Sequence, residues 1–143
     1  EGLPRMAGEV LLFLSSAVLA SGVAAAITSF GMDLIPGHFG FVESCALIVI
    51  FIVLAIVGMH PVTTVALAGG ILAPVVNDMN LLALTMLFGW SLGVCFSSLS
   101  GIQLSIQARL GVPSSEIVKL NAVWGLPMVL CAFEIIYIYT VIQ

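Results

Sequence analysis

Long uncharged apolar runs alternate along this chain with short polar segments, and the run lengths predict the elements. The run 10–32 carries no charge and is long enough to cross a hydrocarbon core of roughly 30 Å at about 1.5 Å per residue. Ser15, Ser16, Ala17, Ala20, Ser21, Gly22 and Ala24 to Ala26 give it a small-residue surface suited to close packing in a helix bundle. The run 44–76 is also uncharged, but as one straight helix it would measure about 50 Å, too long for one crossing. It contains Gly58-Met59-His60-Pro61-Val62-Thr63-Thr64, where proline removes a backbone donor and drives His60 out of the helical region. The legs 44–58 and 64–76 would reach only about 22 and 20 Å. Two partial legs meeting at a helix breaker predict a re-entrant hairpin over 44–76.

The run 79–108 is interrupted at Cys95-Phe96-Ser97-Ser98-Leu99-Ser100-Gly101, and reads as a second hairpin or as one crossing helix unwound in its middle. Segment 109–121 is polar, with Ser114 or Ser115 placed to cap a short helix. The last span is 122–143, with Trp124 towards one end and Tyr137 and Tyr139 towards the other, as interfacial aromatics. Residues 1–9 read as a membrane-surface lead-in, and 33–43, with Asp33, Pro36, Gly37, His38 and Gly40, as a polar loop or short surface helix. The first run exceeds the roughly 7–15 residues of a signal core, so a spanning helix is expected there.

Composition agrees. Hydrophobic residues make up 62% of the chain and charged residues 7%, against about 25% charged in soluble domains, and mean hydropathy is +1.29. A single all-α integral membrane domain over 1–143, multi-pass in a cell (inner or plasma) membrane, with the lipid bilayer as its solvent, is the expectation. The net charge of −4 rests on few groups, and Arg5, Arg109 and Lys119 form no basic patch, which excludes nucleic-acid binding. Cys45, Cys95 and Cys131 are far apart in apolar runs and read as small hydrophobes.

Charge also chooses between topologies. Placing Arg5 and the Arg109/Lys119 segment on the cytoplasmic side requires an even number of crossings between them. If 44–76 turns back and 79–108 crosses, Asp33, Glu43 and Asp78 all fall outside and the three basic residues inside. Because the chain opens on Glu1, it is expected to be a piece of a longer protein.

Candidate chemistry gathers at the two breaks. Pro61 at the first position of the second leg would leave the following N–H groups open, with the positive helix end facing a cavity that suits anions. Thr63 and Thr64 add hydroxyls there, and His60 a group that titrates near neutral pH. The competing reading is a proline kink satisfied by a neighbouring helix. Ser97, Ser98, Ser100 and Gly101 could offer hydroxyls and carbonyls to an ion, or bond back to their own helix. Glu134, inside the last span, is a candidate proton site with Tyr137 one turn away, or else a hydrogen-bonded carboxyl locking two helices. Gln103 and Gln107, one turn apart, line the same cavity or bond between helices. Gly69 and Gly70 suit close helix packing.

A small-residue helix from Phe13 to Gly31, a hairpin with a polar tip and a final span accompany the wording Gly89-Trp90-Ser91-Leu92-Gly93, Ser97-Ser98-Leu99-Ser100-Gly101 and Gln107-Ala108-Arg109-Leu110-Gly111. This order resembles the C-terminal inverted repeat of the ion transporter superfamily, which includes divalent anion/sodium symporters and arsenite permeases. The resemblance implies that the tip, Gly58 to Thr64, and the break, Cys95 to Gly101, meet near the midplane and hold solute and coupling ion. The symporters carry Ser-Asn-Thr at the tip, where this chain has His60-Pro61-Val62-Thr63-Thr64, a departure that bears on sodium coupling and dicarboxylate specificity. The expected function is one half of a secondary transporter moving a small organic or inorganic anion by alternating access, driven by a proton or sodium gradient. Sodium is the one ion considered as a bound cofactor, the metal content is otherwise open, and the expected partners are the missing N-terminal repeat and a second copy in a homodimer.

Two other classes compete with this reading. An intramembrane metalloprotease needs two histidines on one helix face, whereas His38 and His60 are 22 positions apart. A membrane serine protease has only Ser100 with His60 to draw on, so no enzymatic activity is expected. A bundle with only an assembly role predicts that polar changes at Thr63, Thr64 or Ser98 alter stability but not flux.

Overall fold

A computed structural model describes residues 3–30, 38–98 and 100–143, all helical or in turns, with no strand among them. Among the described residues six helices follow one another: α1 (Leu3–Ser29), α2 (Phe41–Val57), α3 (Pro61–Leu72), α4 (Met79–Phe96), α5 (Gly101–Leu110) and α6 (Ser114–Ile142). The expected loop residues Asp33, Pro36 and Gly37, with Gly31 and Leu99, lie outside the described residues. Two segments, Met79–Leu110 and Ser114–Ile142, are long and apolar enough to cross a membrane by length and composition.

Local chemistry sets the boundaries. The Glu43 carboxylate accepts the Gly40 N–H at 3.0 Å at the start of α2. α2 ends in a Schellman turn: Gly58 is left-handed (φ 107°), Met59 N–H donates to Leu54 O at 2.9 Å and Gly58 N–H to Ala55 O at 3.2 Å. Asp78 caps α4 by accepting from Asn80 N and Leu81 N at 3.0 and 2.9 Å. Gly111, left-handed at φ 68°, ends α5.

Contacts between helices give their directions. Phe51 lies against Gly89 and Ala55 against Gly93, so α2 and α4 run the same way. Gly69 faces Met86 while Pro61 faces Gly93, so α3 runs opposite to α4, and therefore to α2. Ser16 with Thr63, and Ala20 with Gly70, set α1 alongside α3 in the same direction. Phe96 on Gly125 and Tyr139 on Asp78 make α6 antiparallel to α4. Ile48, Leu81, Leu92, Ala132 and Ile136, from α2, α4 and α6, form the core. Among the described residues α1 touches only α3.

The helix boundaries differ from the sequence expectation in places: α2 starts at Phe41, inside the expected polar segment, α3 ends at Leu72, and the largest differences are at the starts of α1 and α6. α1 begins at Leu3 instead of residue 10, because Pro4 falls in its first turn, where proline is tolerated. α6 begins at Ser114 instead of 122, with Pro113 at its N-cap and no side-chain cap. Ser114 and Ser115 therefore open the last helix and do not cap a separate short one. Polar residues 114–121 contain neither Gly nor Pro, and nothing stops the helix from extending back to Pro113.

Candidate functional site at the helix breaks

The chain leaves helical geometry at 58–60, between α2 and α3, and again at 97, 98 and 100, between α4 and α5. These breaks are neighbours. A Cβ built on Gly93 would lie 3.6 Å from both Cβ and Cγ of Pro61, so the first residue of α3 packs on α4 one turn before α4 ends at Phe96. The start of α3 thus meets the end of α4, with opposite dipole ends adjacent. Ser16, the middle residue of the 27-residue α1, reaches the tip: its Oγ is 3.2 Å from Thr63 Oγ1. Two hydroxyls sharing one hydrogen bond leave one hydroxyl hydrogen for another acceptor.

At the tip, the expectation of open N–H groups is not met. His60 is the N-cap of α3, and its Nδ1 accepts from Val62 N at 3.3 Å, which places the neutral imidazole's proton on Nε2. The His60 carbonyl takes Thr63 N at 2.9 Å and Thr64 N at 3.3 Å. Pro61 has no donor to offer. Buried Thr64 donates its hydroxyl to Pro61 O at 2.9 Å. Histidine serves here as a helix cap, so the first amides of α3 are consumed inside the turn. His60 and Ser100 are each engaged locally, His60 with Val62 and Ser100 with Gln103 N at 3.4 Å.

The second break is tied down by amides. Gln103 Nε2 donates to Cys95 O at 2.9 Å and to Val94 O at 3.3 Å, and Asn121 Nδ2 donates to Cys95 O at 3.2 Å. Two side chains from outside α4 thereby satisfy carbonyls that the end of a helix leaves unpaired. Ser97 and Ser100 are buried, and Ser98 is half-buried. Gln103 is only 2% exposed, and its buried Oε1 has no hydrogen-bond partner among the described residues. That oxygen is an acceptor facing inward at the break.

Gly58, His60, Pro61, Thr63 and Thr64 therefore sit together, with Ser97, Ser98 and Ser100 one to two turns beyond the point where Pro61 meets α4. Gly101 is exposed in the first turn of α5, with no neighbour near the position of a Cβ. Glu134 is not brought to this junction: it is exposed on α6, away from the buried stripe Gly125, Ala132 and Ile136. Gln107 is exposed, unlike Gln103. Sequence reasoning missed Ser16, Gly93 and Asn121. Ser16 was read only as a small packing residue, and Gly93 carried no signal beyond its size. Gly69 and Gly70 pack as expected, on Met86 and Ala20.

Comparisons of the chain with protein families, with curated proteins and with solved structures find no match.

Proposed function

We propose that this chain is a membrane-embedded half of a secondary transporter, of the ion transporter superfamily type, in which α2 and α3 form a re-entrant hairpin and α4–α5 a broken crossing helix. The observation that carries this reading is that the tip of the α2–α3 break packs halfway along α1, at Ser16–Thr63, and on α4 one turn before the second break, at Pro61–Gly93. Irregular backbone at membrane depth is stable only where protein or a water-filled cavity surrounds it, and paired discontinuous helices recur at transporter binding sites. Lengths agree: α2 and α3, at 17 and 12 residues, reach about 26 and 18 Å, less than the roughly 30 Å core. α1 and α6, at 27 and 29 residues, reach about 40 and 44 Å.

The solute is a small anion held by the Thr63 and Ser16 hydroxyls, Ser98 and the dipole of α3, since the first α3 amides are already occupied. Gln103 Oε1, a buried acceptor at the α4 break, suits sodium as the coupling cation. The partners on this reading are the remaining repeat and a second copy. Movement of this bundle against a scaffold would expose the junction to each side in turn.

The test is uptake of succinate and of sulfate into proteoliposomes containing the whole transporter, under an imposed proton or sodium gradient. Thr63→Val should cut gradient-driven uptake about ten-fold, as expected for one lost hydrogen bond to the solute, with helix content unchanged. Unchanged uptake in Thr63→Val and Ser98→Ala, with only stability lowered, would contradict the site and favour the assembly role.

A further inference from the structure

Glu134 is the one charged residue in 122–143, and it stands on the outer face of α6. α6 packs on the rest of the chain through Gly125, Ala132 and Ile136. Positions 123, 127, 134, 138 and 141 fall on the opposite side at helical spacing, and all are exposed. Val123, Ile138 and Val141 are 66%, 52% and 64% exposed, so the carboxyl is set in an apolar stripe.

Two features make this face unsuited to lipid, given the membrane placement of α6 proposed above. Side chains on a helix lean towards its N-terminus, so Glu134 leans away from the C-terminal end at Ile142, itself about 12 Å distant. A short carboxyl so directed cannot reach the nearer surface. Pro127, inside the helix, also deprives the Val123 carbonyl of its usual donor four residues on. The same face thus presents two acceptors eleven residues, or about 16 Å, apart. Hydrocarbon supplies a donor to neither.

We propose that the outer face of α6 is a helix–helix interface whose occupant is an apolar membrane helix from outside this chain, carrying a cationic or amide donor opposite Glu134. Charge complementarity selects such a helix over a second copy. Arg109 and Lys119 flank the start of α6, and Arg5 lies in the first turn of α1, at the same end of the molecule. A copy related by a two-fold axis along α6 would set carboxyl against carboxyl. Tyr137, one turn on from Glu134, has its ring packed edge-on against Phe41 at 5.6 Å. The proposal rests on the membrane placement of α6 and is independent of transport.

The experiment places a benzoylphenylalanine photocrosslinker at position 138 of the full chain in cell membranes and identifies the adduct by peptide mass spectrometry. The expected adduct is an apolar peptide foreign to this chain, with Arg, Lys, Asn or Gln within one turn of the attachment point. Glu134→Leu should lower its yield about ten-fold, and Glu134→Gln, which keeps an acceptor, by less. Because Glu134 is exposed, neither change should alter helix content by circular dichroism. Adducts with this chain's own peptides, with lipid alone, or with a peptide lacking a donor would overturn the proposal, as would a yield indifferent to Glu134. Release of the chain by an alkaline carbonate wash would remove the membrane premise, and so is separable from failure of the interface.

Discussion

His60 shows how one side chain decides what a helix terminus can do. Its imidazole and carbonyl together take the N–H groups of Val62, Thr63 and Thr64, so α3 starts without open donors. His60→Ala should therefore destabilise the fold by about 1 kcal/mol, the usual cost of a lost N-cap, and His60→Asn should restore most of it; chemical unfolding in detergent measures both. If His60 served only as a ligand group, neither change would move the unfolding midpoint. The break itself was legible in the sequence, because proline disfavours helix at the residue before it and Gly58, two residues earlier, is a ready helix C-cap. The closure of its amides was not legible, since it depends on where one imidazole points. For the same reason Gln103 could be placed near the second break by sequence, whereas its grip on the Val94 and Cys95 carbonyls could not.

Among the elements, α2 and α4 are held close by glycines. A Cβ on Gly89 would overlap the ring of Phe51, which is 3% exposed, and one on Gly125 would come within 2.6 Å of the Phe96 ring. Gly89→Ala should cost roughly 1–3 kcal/mol by overpacking, and Phe51→Leu in the same chain should recover part of it, as read from unfolding of the single and double variants. Additive losses would contradict the contact. Helices α2 to α5 were legible because run length, Pro61 and the serine cluster each punctuate the apolar pattern. The early start of α6 was not, since its first residues are polar and suit a separate short surface helix as well as the first turns of a long one. Propensity and the absence of a breaker after Pro113 were the better guides. Glu134 likewise sat inside a span by sequence, but which face it occupies was fixed only by the packing of Gly125, Ala132 and Ile136.

At the scale of the molecule, the helix directions gather the basic residues at one end, where Glu116 in the first turn of α6 also lies. The start of α1 with Arg5, the end of α5 with Arg109 and the start of α6 with Lys119 lie at one end; Glu43 and Asp78, at the starts of α2 and α4, lie at the other. This placement of Arg5, Arg109 and Lys119 is what a membrane protein with positive residues inside would have, and on the proposed reading α2 and α3 enter and leave by the same side. The most direct measurement is cysteine labelling from each face of oriented vesicles, with Cys45, Cys95 and Cys131 first replaced by alanine. His38→Cys and Asn77→Cys, both exposed, should react from one face and Ser115→Cys from the other. Labelling of 38 and 77 from opposite faces would mean that the intervening chain crosses the bilayer, which would contradict the re-entrant hairpin and the transporter reading built on it.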